Sequence, residues 1–195
     1  MNEREIRGVY DDETIIVYQA FKKEIAIPAV KNQRFVPPFK MERMTWIKPS
    51  FLWMMYRSGW ALKEGQEYIL AIKIKREGFE WALRNSCLST FKEAIYKTHE
   101  NWKEKLNNTS VRIQWDPEKN IILENLEYKS IQIGLKEIAV KKYVHDWIVQ
   151  IEDVTDFSKE IYQLILNGEI EKAKDKLPKE ELYPLPNDIA SAINI

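Results

Sequence analysis

The run Met44-Thr45-Trp46-Ile47-Lys48-Pro49-Ser50-Phe51-Leu52-Trp53-Met54-Met55-Tyr56-Arg57-Ser58-Gly59-Trp60 gathers the densest chemistry of the 195-residue chain. Pro49 suits the opening of a helix, and a helix from there sets Trp53 on one face with Tyr56 or Arg57. Lys48 and Ser50 then stand at its amino end, where free N–H groups and the helix dipole attract anions. With Arg34 and Arg43 upstream and Trp46 as a further ring, the segment offers phosphate-type charge beside stacking surfaces. That combination is what a nucleotide or a single-stranded nucleic acid requires. Aromatic residues at helical spacing also suit a core, so Trp53, Met54 and Met55 carry a competing reading as packing residues, with Lys48 and Arg57 solvated.

Other signatures are missing. None of the six glycines has the spacing of a dinucleotide or phosphate-loop fingerprint, and there is no Gly-x-Ser-x-Gly elbow. His99 and His145 are the only histidines and lack further ligands at metal spacing, so no metal is expected.

The elements that must position these residues follow from patterning. Thr14 to Ala20 is β-branched and short, and reads as a buried strand. Lys22 to Lys31 suits a helix limited by Pro28, and the two prolines in Arg34 to Phe39 dictate a loop. Arg43 to Lys48 suits a strand, and Phe51 to Arg57 a helix closed near Gly59. Tyr68 to Lys75 shifts from an apolar run to alternation, as a strand leaving a core does, and Phe79 and Leu83 then take helical spacing. Thr90 to Leu106 reads as a surface helix. Val111 to Trp115 alternates and meets Asp116-Pro117, a turn that stops the strand. Lys129 to Ile133 is a further strand, Ile138 to Val144 a short helix and Trp147 to Ile151 a last strand. The strands outnumber the helices and do not alternate with them regularly, which predicts α+β: one sheet system, mixed and mostly antiparallel, with a few packed helices. The expected organisation is a single domain over residues 1–155 and a C-terminal helical appendage and tail over 156–195, packed outside or frayed.

Composition narrows the function classes. Thirty basic and thirty acidic residues give a formal charge of zero, which removes the global electrostatic case for a dedicated duplex-binding or membrane-surface protein. The single Cys87 excludes an intrachain disulfide and a cysteine-based zinc site. Met1-Asn2-Glu3-Arg4 lacks the apolar run of a signal peptide, and no apolar run is long enough for a membrane span, so the expected location is cytoplasmic. Oligomeric state is not legible.

Across Val17-Tyr18-Gln19-Ala20, Gln33 to Phe39, Met44 to Ala61, Ser130 to Leu135 and Trp147-Ile148-Val149 the chain resembles the family named domain of unknown function 4291, to which no activity is attached. It also resembles the ADP-ribosyltransferase fold, whose early strand bears a Tyr-His-Gly-Thr-like element and whose late strand carries Glu. Tyr18-Gln19-Ala20, Ser50 to Tyr56 and Ser130-Ile131-Gln132 look like the same order, with Gln19 and Gln132 departing from it. This second resemblance implies a nucleotide-using transferase, NAD-dependent, acting on nucleic acid or protein. It gives Gln132, Tyr18 and Gln19 catalytic places, with Gln132 orienting a ribose. Tyr18 and Trp53 or Tyr56 would stack on the nicotinamide or base, and Arg34, Lys48 and Arg57 would hold phosphates. A neutral glutamine cannot supply a carboxylate's charge, so either another acid serves, Glu152 and Asp153 being nearest in sequence, or the activity is atypical or lost. The alternative is a non-catalytic module that binds a nucleotide or single-stranded nucleic acid through the same rings and cations.

Overall fold

The computed structural model describes residues 3–193 and 195. Its elements run β1 (Arg7–Gly8), β2 (Thr14–Phe21), α1 (Lys23–Asn32), β3 (Thr45–Ile47), α2 (Phe51–Ser58), β4 (Tyr68–Lys75), α3 (Arg76–Arg84), β5 (Ser86–Leu88), α4 (Glu93–Tyr96) and α5 (His99–Asn108). Then follow β6 (Val111–Lys119), β7 (Asn125–Leu135), α6 (Ile138–Lys142), a π turn (Tyr143–Trp147), β8 (Ile148–Asp153), α7 (Thr155–Leu166), α8 (Ile170–Lys176), β9 (Glu181–Leu182) and α9 (Asn187–Ile193).

The strands form a three-stranded sheet of order β2-β4-β8, a four-stranded sheet of order β3-β7-β6-β5 and a β1-β9 ribbon. Among these pairings β5 with β6 is parallel and the rest are antiparallel, so the fold is α+β with mixed, mostly antiparallel sheets. All six expected strands form, but they divide between the two larger sheets where a single sheet system was expected. Those sheets are joined where β2 meets the end of β3, with Tyr18 N donating to Lys48 O at 2.7 Å.

Alternation along β2 and β4 separates two cores. Ile15, Val17, Leu70, Ile72 and Ile74 point into the main one, with Phe79, Ile113, Ile133 and Tyr143. Tyr18, Ile69 and Ala71 point into the second, under Phe51, Met54, Met55 and Trp60. Gly78 in α3 lets the main core close, because a Cβ there would stand 2.3 Å from Trp147 Cγ.

Several local expectations are corrected. Pro28 does not limit α1, which continues to Asn32 and ends at Gln33 in a left-handed conformation, φ 52°. The single helix expected over Thr90 to Leu106 is two, α4 and α5, parted by Lys97 at φ 64° and restarted by Thr98, whose hydroxyl accepts from Asn101 N. Trp147 belongs to the π turn, so the last strand begins at Ile148. Asp116-Pro117 does not stop β6. The strand runs on to Lys119 through an irregularity in its pairing with β7 between Pro117 and Lys119, a position where a missing donor is tolerated. The segment beyond Thr155, expected on the outside, enters both cores, with Tyr183, Ile189 and Ile193 in the main one and Ile161 and Ala173 in the second.

Candidate functional site

A cleft of about 670 Å³ opens where β2, β3 and the polar face of β6 and β7 meet α2. Gln114 and Asp116 on β6 and Gln132 on β7 alternate with Ile113, Trp115, Ile131 and Ile133, so one face of the strand pair is polar while the other fills the main core.

Asp116 organises this face. Gln132 Nε2 donates to its Oδ2, and Gln114 Nε2 lies 3.1 Å from both carboxylate oxygens. Gln132 is 7% exposed, which places it in the cleft wall and not on a wetted sheet surface. With its Nε2 donating to Asp116, the Gln132 carbonyl oxygen is left as an acceptor.

Gln19 forms the opposite wall. Its Nε2 donates to Thr45 Oγ1 at 2.6 Å and Trp46 O at 3.1 Å, and its Oε1 accepts from Tyr143 Oη at 2.8 Å. The amide therefore has one allowed orientation. Burial holds the Tyr143 hydroxyl well above its usual range, so it remains a neutral donor.

Five cations, Lys22, Lys40, Arg43, Lys48 and Arg57, line the cleft, and no Asp or Glu is among the described lining residues. Lys48 is buried while the other four are exposed. Its Nζ donates to Trp46 O at 3.2 Å and lies 5.6 Å from the centre of the Trp53 ring. Burial, reinforced by Arg57 and opposed by Asp116, pushes its amine down to about 7.

Of the residues singled out from sequence, Gln19, Gln132, Arg43, Trp46, Lys48 and Arg57 thus come together. The others do not line the cleft. Tyr18, next to Gln19 on a strand, faces the second core and packs edge-on against Phe51, 5.4 Å between ring centres. Burial raises its hydroxyl far above the ordinary value. Ser50 caps α2, accepting from Trp53 N at 3.0 Å and donating to Glu118 Oε1 at 2.9 Å, so no anion site is open at that helix end. The Phe51 N–H there is occupied as well, by Glu180 Oε1 at 2.7 Å. Trp53 is buried, Tyr56 lies outside the cleft with Lys119 Nζ 3.6 Å from its ring centre, and Arg34 is exposed elsewhere. Asp116, Gln114, Thr45 and Tyr143 were missed from sequence. The one available signal was polar alternation continuing through Gln114 and Asp116.

No three His, Cys, Asp or Glu side chains gather as metal ligands among the described residues, and no helix there is long and apolar enough to cross a membrane. Residues 5–183 match the family described as Domain of unknown function (DUF4291). The chain belongs to that family. No curated protein matches it. Both walls of the cleft fall inside the span that this DUF4291 protein shares with its family.

Proposed function

We propose that this DUF4291 protein is a nucleotide-using transferase similar to ADP-ribosyltransferases, with NAD as donor and a nucleic acid or protein as acceptor. The observation that carries the reading is the cleft's charge: four exposed cations, Lys22, Lys40, Arg43 and Arg57, and no Asp or Glu among the described lining residues, around a cavity within the roughly 300–1,000 Å³ of ordinary ligand sites. Such walls fit a pyrophosphate, and the half-buried Trp46 ring gives a base or nicotinamide a surface to lie against. Two mostly antiparallel sheets meeting at the cleft also support the likeness in fold.

In this reading the cations at the mouth hold phosphates, and the Gln132 carbonyl oxygen accepts from a ribose hydroxyl. Asp116, hydrogen-bonded behind Gln132 and Gln114, supplies the negative charge that a glutamine lacks as the ribose carbon gains positive character. Glu152 and Asp153 are less suited. Glu152 is exposed and Asp153 is engaged at the start of α7, accepting from Thr155 N at 2.9 Å and Thr155 Oγ1 at 2.5 Å.

Calorimetric titration with NAD, ADP-ribose, ATP and short oligonucleotides, paired with an assay for released nicotinamide, tests the proposal. The expected result is NAD binding with nicotinamide release, and in Gln132→Ala binding near wild type with turnover about 100-fold lower. Binding of NAD or oligonucleotides with no release makes the protein a binding module. No binding of any of the four overturns both readings.

A further inference from the structure

Lys48 differs in kind from the four other cations of the cleft. They are exposed, whereas Lys48 retains 6% of its surface yet still lines the cavity. A buried ammonium has three donors and a full charge to satisfy. Lys48 finds one acceptor, Trp46 O, and that oxygen also accepts from Gln19 Nε2. Among the described residues no carboxylate stands within ion-pair distance of its Nζ. The neighbouring Trp53 adds a second buried donor, Nε1, with no acceptor. This wall has donors in excess. A neutral amine, needing a single acceptor and carrying a free lone pair, fits such a place better than an ammonium does.

We propose that Lys48 is a nucleophilic amine and that the cleft captures anionic aldehydes through it. The mouth cations hold the anionic group while Nζ bonds to the carbonyl carbon. The Nζ lone pair attacks that carbon and the carbonyl π electrons move to oxygen, which takes up a proton given up by nitrogen. The carbinolamine then loses its oxygen as water, carrying the second nitrogen proton with it, and an imine remains. One water leaves and nothing is oxidised or reduced. A lysine desolvated beside other cations is the arrangement that prepares an amine for this reaction. The charged groups acting on Nζ are Arg57 from α2, which favours the neutral amine, and Asp116 from β6, which opposes it; the amine's lowering to about 7 fits the balance. The inference goes beyond the transferase reading and shares with it only the anion-binding mouth.

Pyridoxal 5′-phosphate serves as a probe, used purely as a phosphorylated aldehyde, with borohydride trapping and peptide mapping of the intact protein across pH 5–9. Lys48 is expected to be modified at least about tenfold faster than any surface lysine, because near neutral pH an ordinary lysine is almost wholly protonated. The rate should be half-maximal near pH 7. Pyridoxal without its phosphate should react more slowly, and added pyrophosphate should protect. Lys48→Met should remove the adduct, but the wild-type map decides the matter even where that variant folds poorly. Adducts spread over surface lysines, with Lys48 no faster than they are, overturn the proposal. NAD titrated separately keeps the two readings apart, since labelling of Lys48 without NAD binding removes the transferase and leaves the amine.

Discussion

Tyr143 Oη, in the main core, donates to Gln19 Oε1 at 2.8 Å, joining residues 124 positions apart behind the cleft wall that Gln19 forms. Both are buried, and the bond fixes which way the Gln19 amide faces, so that its Nε2 meets Thr45 and Trp46 O. Tyr143→Phe removes the donor and leaves a buried carbonyl oxygen unpaired, a loss of about 1–3 kcal/mol. The denaturant midpoint should fall at constant m-value, which separates lost stability from a change in compactness.

Arg57 and Arg34 form a contrasting pair. Arg57 is exposed and lines the cleft, whereas Arg34 is exposed and does not. Arg57→Ala should weaken binding of an anionic ligand such as pyrophosphate by about 1.5–3 kcal/mol, with folding stability within about 0.5 kcal/mol of wild type. Arg34→Ala should leave the affinity unchanged. Calorimetric titration of both variants against pyrophosphate checks the pair, and equal losses would remove the assignment of Arg57 to the site.

Gly78 sets two effects of opposite sign against each other. Replacing a glycine within a helix by alanine ordinarily stabilises by about 0.5–1 kcal/mol, and Gly78 is the third residue of α3. Here the new Cβ would stand 2.3 Å from Trp147 Cγ and 2.5 Å from its Cδ1, so the indole or α3 must move. Overpacking of this kind costs about 1–3 kcal/mol, which wins. Gly78→Ala should lower the melting temperature, with changed Trp fluorescence reporting displacement of Trp147.

Glu180 makes stability fall with rising pH. Burial, opposed by the hydrogen bond from Phe51 N and reinforced by Glu118, pushes its carboxyl up to about 8 from a reference of 4.5. Between those values the folded protein keeps the proton and the unfolded chain releases it. The contribution is therefore fully present below about pH 4.5 and is lost progressively as pH rises to about 8. Glu118, also raised by burial, acts in the same direction. Glu180→Gln should flatten the slope of unfolding free energy against pH in this window and stabilise the protein at pH 8. An unaltered slope in denaturant titrations at several pH values would contradict the assignment.

Much of this fold was legible from patterning. Tyr68 to Lys75 forms a strand with those limits because its apolar run has one way to be buried, between β2 and β8. Gln132, placed in the site by the resemblance to ADP-ribosyltransferases, lines the cleft. Tyr18 shows what a rule applied incompletely misses, since neighbours on a strand face opposite ways and Tyr18 cannot share a wall with Gln19. Asp116 was hidden because Pro117 reads as a stop, and only the pairing irregularity after it lets β6 continue. Trp53 and Tyr56 sit at helical spacing as expected, but which face of α2 meets the cleft depends on how the helix packs over the second core, and that is tertiary information. Tyr143 lies in a π turn, whose one extra residue per turn has no sequence signature comparable to a cap.

The β1–β9 ribbon bears on how the protein is made. Arg7 pairs with Leu182, and Tyr183 N donates to Ile6 O at 2.8 Å. A ribosome releasing about 5–20 residues per second delivers Ile6 roughly ten to forty seconds before its partner. Throughout that interval the main core lacks Tyr183, Ile189 and Ile193, and β1 has no strand beside it. Vectorial folding can close the β2-β4-β8 sheet early, but the nascent chain must hold Ile6 and the Tyr183 side of Phe79 out of competing associations until Tyr183 emerges. A partly made chain therefore leaves these apolar groups uncovered through that interval, and slowing elongation lengthens it.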